Sequence, residues 1–156
     1  PGMTANFDAA KSAALAITLL DWKAHGRAYA AAMAGTAKAL AERGLPVFST
    51  AKGHTTSHQF AVQAAEFGGG QAAAKRLRRA NILTCGIGLP IAAVDGDMNG
   101  LRFGTPEIVR WGMTEKDMPE LAALIARGLR GNDAPEAIAA AVSEFRRRFT
   151  KLHFVN

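Results

Sequence analysis

The chain of 156 residues has a single cysteine, Cys85, one tyrosine and two tryptophans. It also lacks any apolar run approaching the ~20 residues that a membrane span requires. A lone cysteine excludes a disulfide framework and a cysteine metal cluster, and fits a reducing cytoplasm. The N-terminus has no basic, apolar and small-residue order of a signal peptide. Pro1-Gly2 ahead of Met3 reads as a cloning remnant, with Met3 the natural start. Paired carboxylates, a nucleophile elbow and the Walker and dinucleotide glycine patterns are missing too. No catalytic residue is therefore assigned within this chain.

What is present is one domain's worth of ordinary composition: 49% apolar, 21% charged, with a formal net charge of +6. Such a chain is long enough to bury a core. The positive excess is concentrated in Lys75-Arg76-Leu77-Arg78-Arg79 and Arg146-Arg147-Arg148 with Lys151. Neither cluster is interleaved with aromatics or accompanied by a nucleic-acid motif, so solvated helix faces explain them and no nucleic-acid partner is expected.

Along the chain, residues 8 to 43 have helical spacing through Leu15, Leu19 and Trp22, then Tyr29, Met33, Ala37 and Leu40. His25-Gly26 marks an expected bend or break between two helical parts, and Arg43-Gly44 an end. Segments 44–49, 58–63 and 81–84 read as strands. Gly68-Gly69-Gly70 opens a helix reaching Ala80, with Ala72, Leu77 and Ala80 on its apolar side. Thr114 with Asp117, and Asp133 with Glu136, form capping signals ahead of two further helices. The last carries the stripe Ile138, Val142, Phe145 and Phe149. This order predicts an α+β fold, with a small mixed or antiparallel sheet covered by helices and a long N-terminal helical segment. We divide it into a helical segment, 3–44, and a small α+β domain, 45–156.

The chemistry concentrates in Asn99-Gly100-Leu101-Arg102-Phe103-Gly104-Thr105-Pro106. Leu101 and Phe103 point to one face of a short strand and Arg102 to the other. Thr105 suits an N-cap and Pro106 the first helical position. An arginine so placed needs an anion, either a structural ion-pair partner or a ligand carboxylate matching its planar fork. Elsewhere the signals are weaker. The triglycine helix start could hold a phosphate, although a flexible turn explains it as well. His54 and His58 lack a third metal ligand, so no metal site is expected. Lys52 and Cys85 lack activating partners.

The run Gly100-Leu101-Arg102-Phe103-Gly104-Thr105-Pro106, followed by Arg110-Trp111-Gly112-Met113 and Glu115-Lys116-Asp117-Met118, resembles the C-terminal domain of serine hydroxymethyltransferases. Ser57-His58-Gln59, Arg79-Ala80-Asn81-Ile82 and Gly88-Leu89-Pro90 support the resemblance, as does the segment from His25-Gly26 to Gly44. It covers roughly residues 10 to 130. Ile87-Gly88-Leu89-Pro90 with Gly96-Asp97-Met98-Asn99-Gly100 is closer to the α-methylserine hydroxymethyltransferase and threonine transaldolase branch.

The resemblance implies a pyridoxal-phosphate enzyme of fold type I. In it Arg102, on a sheet rim, holds the α-carboxylate of an amino-acid substrate, and His58 and Arg110 line or support the site. The family's Schiff-base lysine, pyridine-binding aspartate and phosphate cup have no counterpart here. The cofactor would therefore be bound mainly by a partner chain, a separate large subunit in a hetero-oligomer, against which segment 3–44 docks. Ile87 stands where the housekeeping enzymes have a pterin-contacting asparagine, which weakens a tetrahydrofolate assignment and leaves an aldehyde acceptor, as in transaldolases, as its competitor. The expected chemistry is cleavage or formation of a Cα–Cβ bond on serine, glycine, threonine or α-methyl analogues. The alternative is a non-catalytic remnant that binds amino acids or regulates a pyridoxal-phosphate enzyme by docking on it.

Overall fold

The computed structural model describes residues 8–156, so the reading of Pro1-Gly2 and Met3 lies outside the described residues. Asp8 caps the first helix, α1 (Ala9–Ala41), accepting from the Ala10 N–H at 2.9 Å and the Lys11 N–H at 3.3 Å. At 33 residues, α1 is about 50 Å long. The break expected at His25-Gly26 does not occur: α1 runs through it unbroken, and Gly26 serves packing. A Cβ there would lie 2.5 Å from Trp22 Cε3, so the missing side chain leaves room for the indole to lie along the helix.

The remaining elements are β1 (Gln59–Gln63), α2 (Gly70–Arg79), β2 (Cys85–Ile87), β3 (Gly100–Gly104), α3 (Pro106–Arg110), α4 (Met118–Arg130) and α5 (Pro135–Arg147). The three strands form an antiparallel sheet in the order β1-β3-β2. This is the expected α+β architecture, with Arg102 on the central strand rather than at a rim.

Alternation along the strands separates two faces. Phe60, Val62, Leu101 and Phe103 are buried toward the helices, and the Phe60 and Phe103 rings stack at 5.6 Å. Leu77 of α2, Met118 and Ile125 of α4 and Ile138 of α5 complete the same core. Gly70 allows α2 to press directly onto the sheet, since a Cβ there would meet the Gly100 carbonyl oxygen at 2.2 Å.

Several local expectations are corrected. Segment 44–49 contributes a single bridge, Val47 to Val62, because Pro46 has no N–H to extend a ladder. Asn81 adopts φ 59° and closes α2, donating its N–H to Arg78 O, so the following strand starts at Cys85 and not at residue 81. Ala72 is exposed, and α2 buries Gly70, Ala73, Ala74 and Leu77. Thr105 occupies the N-cap position of α3 with Pro106 following, as expected, but its side chain makes no capping hydrogen bond. Its buried hydroxyl lies 2.8 Å from Met33 O and 3.1 Å from His58 O, tying α1 to the strand ends.

The capping box of Thr114 and Asp117 is present. Asp133 instead pairs with Arg127 at 2.7 Å, and Glu136 with Arg79 at 3.1 Å. Arg76 leaves its basic cluster to cap α4, donating to Leu129 O at 2.9 Å and to Gly128 O at 3.3 Å. No described helix is long and apolar enough to cross a membrane.

Candidate functional site

The face of the sheet turned away from the core carries Arg102. Cross-strand register places Ala61 of β1 on one side of it and Cys85 of β2 on the other. Both neighbours are short, so the guanidinium stands clear of its own sheet. Its backbone is fixed by Thr84, whose hydroxyl donates to the Arg102 carbonyl at 2.6 Å. Among the described residues, the ion pairs of this protein use Lys11, Lys38, Arg79, Arg127, Arg147 and Arg148. Arg102 has no carboxylate partner there. The ion-pair reading of Arg102 is therefore not met among the described residues, and its side chain is exposed.

His58 lies immediately before β1. Its carbonyl accepts from the Thr105 N–H at 3.0 Å, and its side chain is exposed. The structure thus brings His58 to the strand end adjoining β3. Arg110 is placed elsewhere, its guanidinium 4.9 Å from the centre of the Tyr29 ring on α1 and its Nη1 3.5 Å from Phe154 O. No hydrogen bond joins it to the Arg102 face among the described residues. His54 hydrogen-bonds Ser49, and no group of three metal-ligating side chains exists among the described residues.

The triglycine helix start is not a vacant phosphate site. The Asp97 carboxylate occupies it, accepting from the N–H groups of Gln71 at 2.8 Å and Ala72 at 3.0 Å. These backbone hydrogen bonds hold the Asp97 carboxyl below its ordinary value of 3.8. Gly69, at φ 104°, permits the approach, because a Cβ there would sit 2.5 Å from Asp97 Oδ2.

Sequence reasoning passed over the role of Asn99, which is 7% exposed. Its Oδ1 accepts from the Leu89 N–H at 2.7 Å, and its Nδ2 donates to the Leu89 carbonyl at 3.0 Å. The same Nδ2 lies within reach of Ile91 O and Ala92 O. One side chain thereby pins the loop after β2 beside the Arg102 face. The only sequence signal was the Asn-Gly pair, which reads as a turn and not as a buried clasp.

No family model matches the chain. It is 61% identical over 159 residues to an alpha-methylserine aldolase of Ralstonia sp, covering 99% of this chain and 36% of the relative. It is 37% identical over 158 residues to the serine hydroxymethyltransferase of Pyrobaculum neutrophilum, with the same coverage. The fold superposes on L-threonine transaldolase from Pseudomonas fluorescens with a TM-score of 0.76 and 28% identity, covering 89% of this chain and 32% of that one.

The chain is a C-terminal small domain of the serine hydroxymethyltransferase-like family. It spans about a third of the length of the curated relatives it matches, 36%. This small domain does not itself fit pyridoxal phosphate. The helix start abutting β3, the candidate phosphate site of the sequence, already holds the Asp97 carboxylate.

Proposed function

We propose that this small domain supplies the substrate-carboxylate arginine, Arg102, to a pyridoxal-phosphate-dependent enzyme that makes or breaks the Cα–Cβ bond of serine-type amino acids. A large domain outside these 156 residues completes the enzyme, and it alone supplies the Schiff-base lysine and the cofactor's electron-sink chemistry. The observation that carries this reading is the exposed Arg102 side chain on the central strand, held at its backbone by Thr84 and without a carboxylate partner among the described residues. The names of two relatives, an aldolase and a transaldolase, support an aldolase-type reaction, and half-buried, apolar Ile87 on the same sheet face supports an acceptor other than tetrahydrofolate. His58 and Arg110 remain secondary proposals, as lining and supporting residues respectively.

The first half of α1 is the proposed docking element for that large domain. Leu15, Ile17, Leu19 and Leu20 are each more than half exposed, and leaving such a set in water is costly unless another surface covers it. We further propose that the large domain is a separate subunit in a cytoplasmic hetero-oligomer. The test is co-purification from the native source, followed by mass determination of the bound chain. A separate, yellow large subunit supports this arrangement; one continuous polypeptide overturns it while leaving the role of Arg102 intact. Full turnover by the isolated small domain would overturn the functional reading itself.

A further inference from the structure

We propose that Leu89 is a specificity-determining wall of the Arg102 site, packing against an aliphatic substituent on the α-carbon of the bound amino acid. This rests on the reading of Arg102 as the carboxylate anchor. Gly100 lies two residues before Arg102 on β3, so the two positions share one face at a separation of about 7 Å. A Cβ on Gly100 would fall 2.6 Å from both Cγ and Cδ1 of Leu89. The Leu89 side chain therefore fills the space over Gly100, on the same face as the guanidinium.

Its position is imposed rather than incidental. Asn99 holds both the N–H and the carbonyl of Leu89, at 2.7 and 3.0 Å. Ile87, directly across from Gly100 in the register, extends the apolar surface. Ala61 and Cys85, which flank Arg102, add no charge. A ligand anchored by its carboxylate thus meets one cation and, a few ångströms further along β3, an aliphatic wall. A hydrogen on the α-carbon leaves that wall uncovered, whereas a methyl group covers it. One such group in an apolar pocket discriminates by about 10–200-fold.

The test uses the enzyme assembled with its large domain. Dissociation constants and kcat/KM are measured for α-methylserine and for serine, in the parent and in Leu89→Ala, Leu89→Met and Arg102→Ala. We expect Leu89→Ala to lower the preference for α-methylserine over serine by roughly tenfold, with the larger loss falling on α-methylserine. Leu89→Met, which keeps an apolar side chain of similar volume, retains most of the preference and carries the test if the alanine variant fails to fold. An unchanged preference in folded Leu89 variants, or equal losses for both substrates, overturns the wall. Arg102→Ala weakens both substrates together. If it weakens neither, the anchor reading fails, a result separable from the fate of Leu89.

Discussion

Asp97 and Gln71 are 26 positions apart in sequence, yet the carboxylate of one accepts the backbone N–H of the other at 2.8 Å. The loop before β3 thereby delivers a negative charge to the positive end of α2, where unsatisfied N–H groups and the helix dipole favour an anion. Because these bonds hold the Asp97 carboxyl below its ordinary value, the charged form stabilises the fold. That contribution is fully present above pH 3.8, the ordinary value, and is lost as pH falls through the lowered one. Asp97→Asn is expected to lower stability at pH 7, with the gap from the parent closing in strongly acidic solution. Urea melts across pH check this; a gap that stays constant contradicts it.

Asn99→Ala removes the partner of part-buried backbone groups at Leu89, Ile91 and Ala92. A cost of about 1–3 kcal/mol follows from leaving such groups unpaired. Hydrogen exchange should accelerate at Leu89 first, whose N–H loses its acceptor. Protection equal to the parent at that amide would show that the clasp is dispensable.

Thr105→Val keeps the side-chain volume while deleting the hydroxyl that reaches Met33 O and His58 O. We expect a loss of about 1–2 kcal/mol in chemical denaturation. Leu77→Ala, at a position with no exposed surface, should cost more, about 2–5 kcal/mol, through lost burial and a residual cavity. A larger loss at Thr105 than at Leu77 would reverse the assigned balance between hydroxyl tether and core.

Much of the fold was legible because period and chemistry agreed. Leu101 and Phe103 alternate with Arg102, and Thr114 with Asp117 makes a local cap; both features are set by neighbouring residues. The failures came from distant contacts. Gly26 looked like a helix break, but the Trp22 ring lies over it within a continuous helix. Thr105 looked like a cap, but its hydroxyl is drawn to Met33, 72 positions away. The triglycine looked available to a phosphate until the Asp97 loop filled it. At the candidate site, Arg102 was evident from its setting between glycines and apolar residues. The grip of Asn99 on Leu89 spans ten positions with no periodic signature, and it emerged only from the folded loop.

Charged substitutions on the first half of α1 test its proposed docking role. Leu15 and Leu19 are exposed by 51% and 59%, so Leu15→Glu with Leu19→Glu should leave the melting temperature of the small domain nearly unchanged. Association with the large domain should weaken by tenfold or more, consistent with losing buried apolar contacts worth about 1.5–3 kcal/mol each. Unchanged association in a titration would place the interface elsewhere.

The most direct measurement is the substrate affinity of Arg102→Ala in the enzyme assembled with its large domain. Arg102 is exposed and forms no internal ion pair among the described residues, so folding and assembly should survive the change. Removing one partner of a desolvated charge pair costs about 2–5 kcal/mol. The dissociation constant of the amino acid should therefore rise by roughly 30-fold to several thousandfold, with the cofactor still bound. An assembled, yellow Arg102→Ala enzyme that binds its amino acid as tightly as the parent would contradict the assignment.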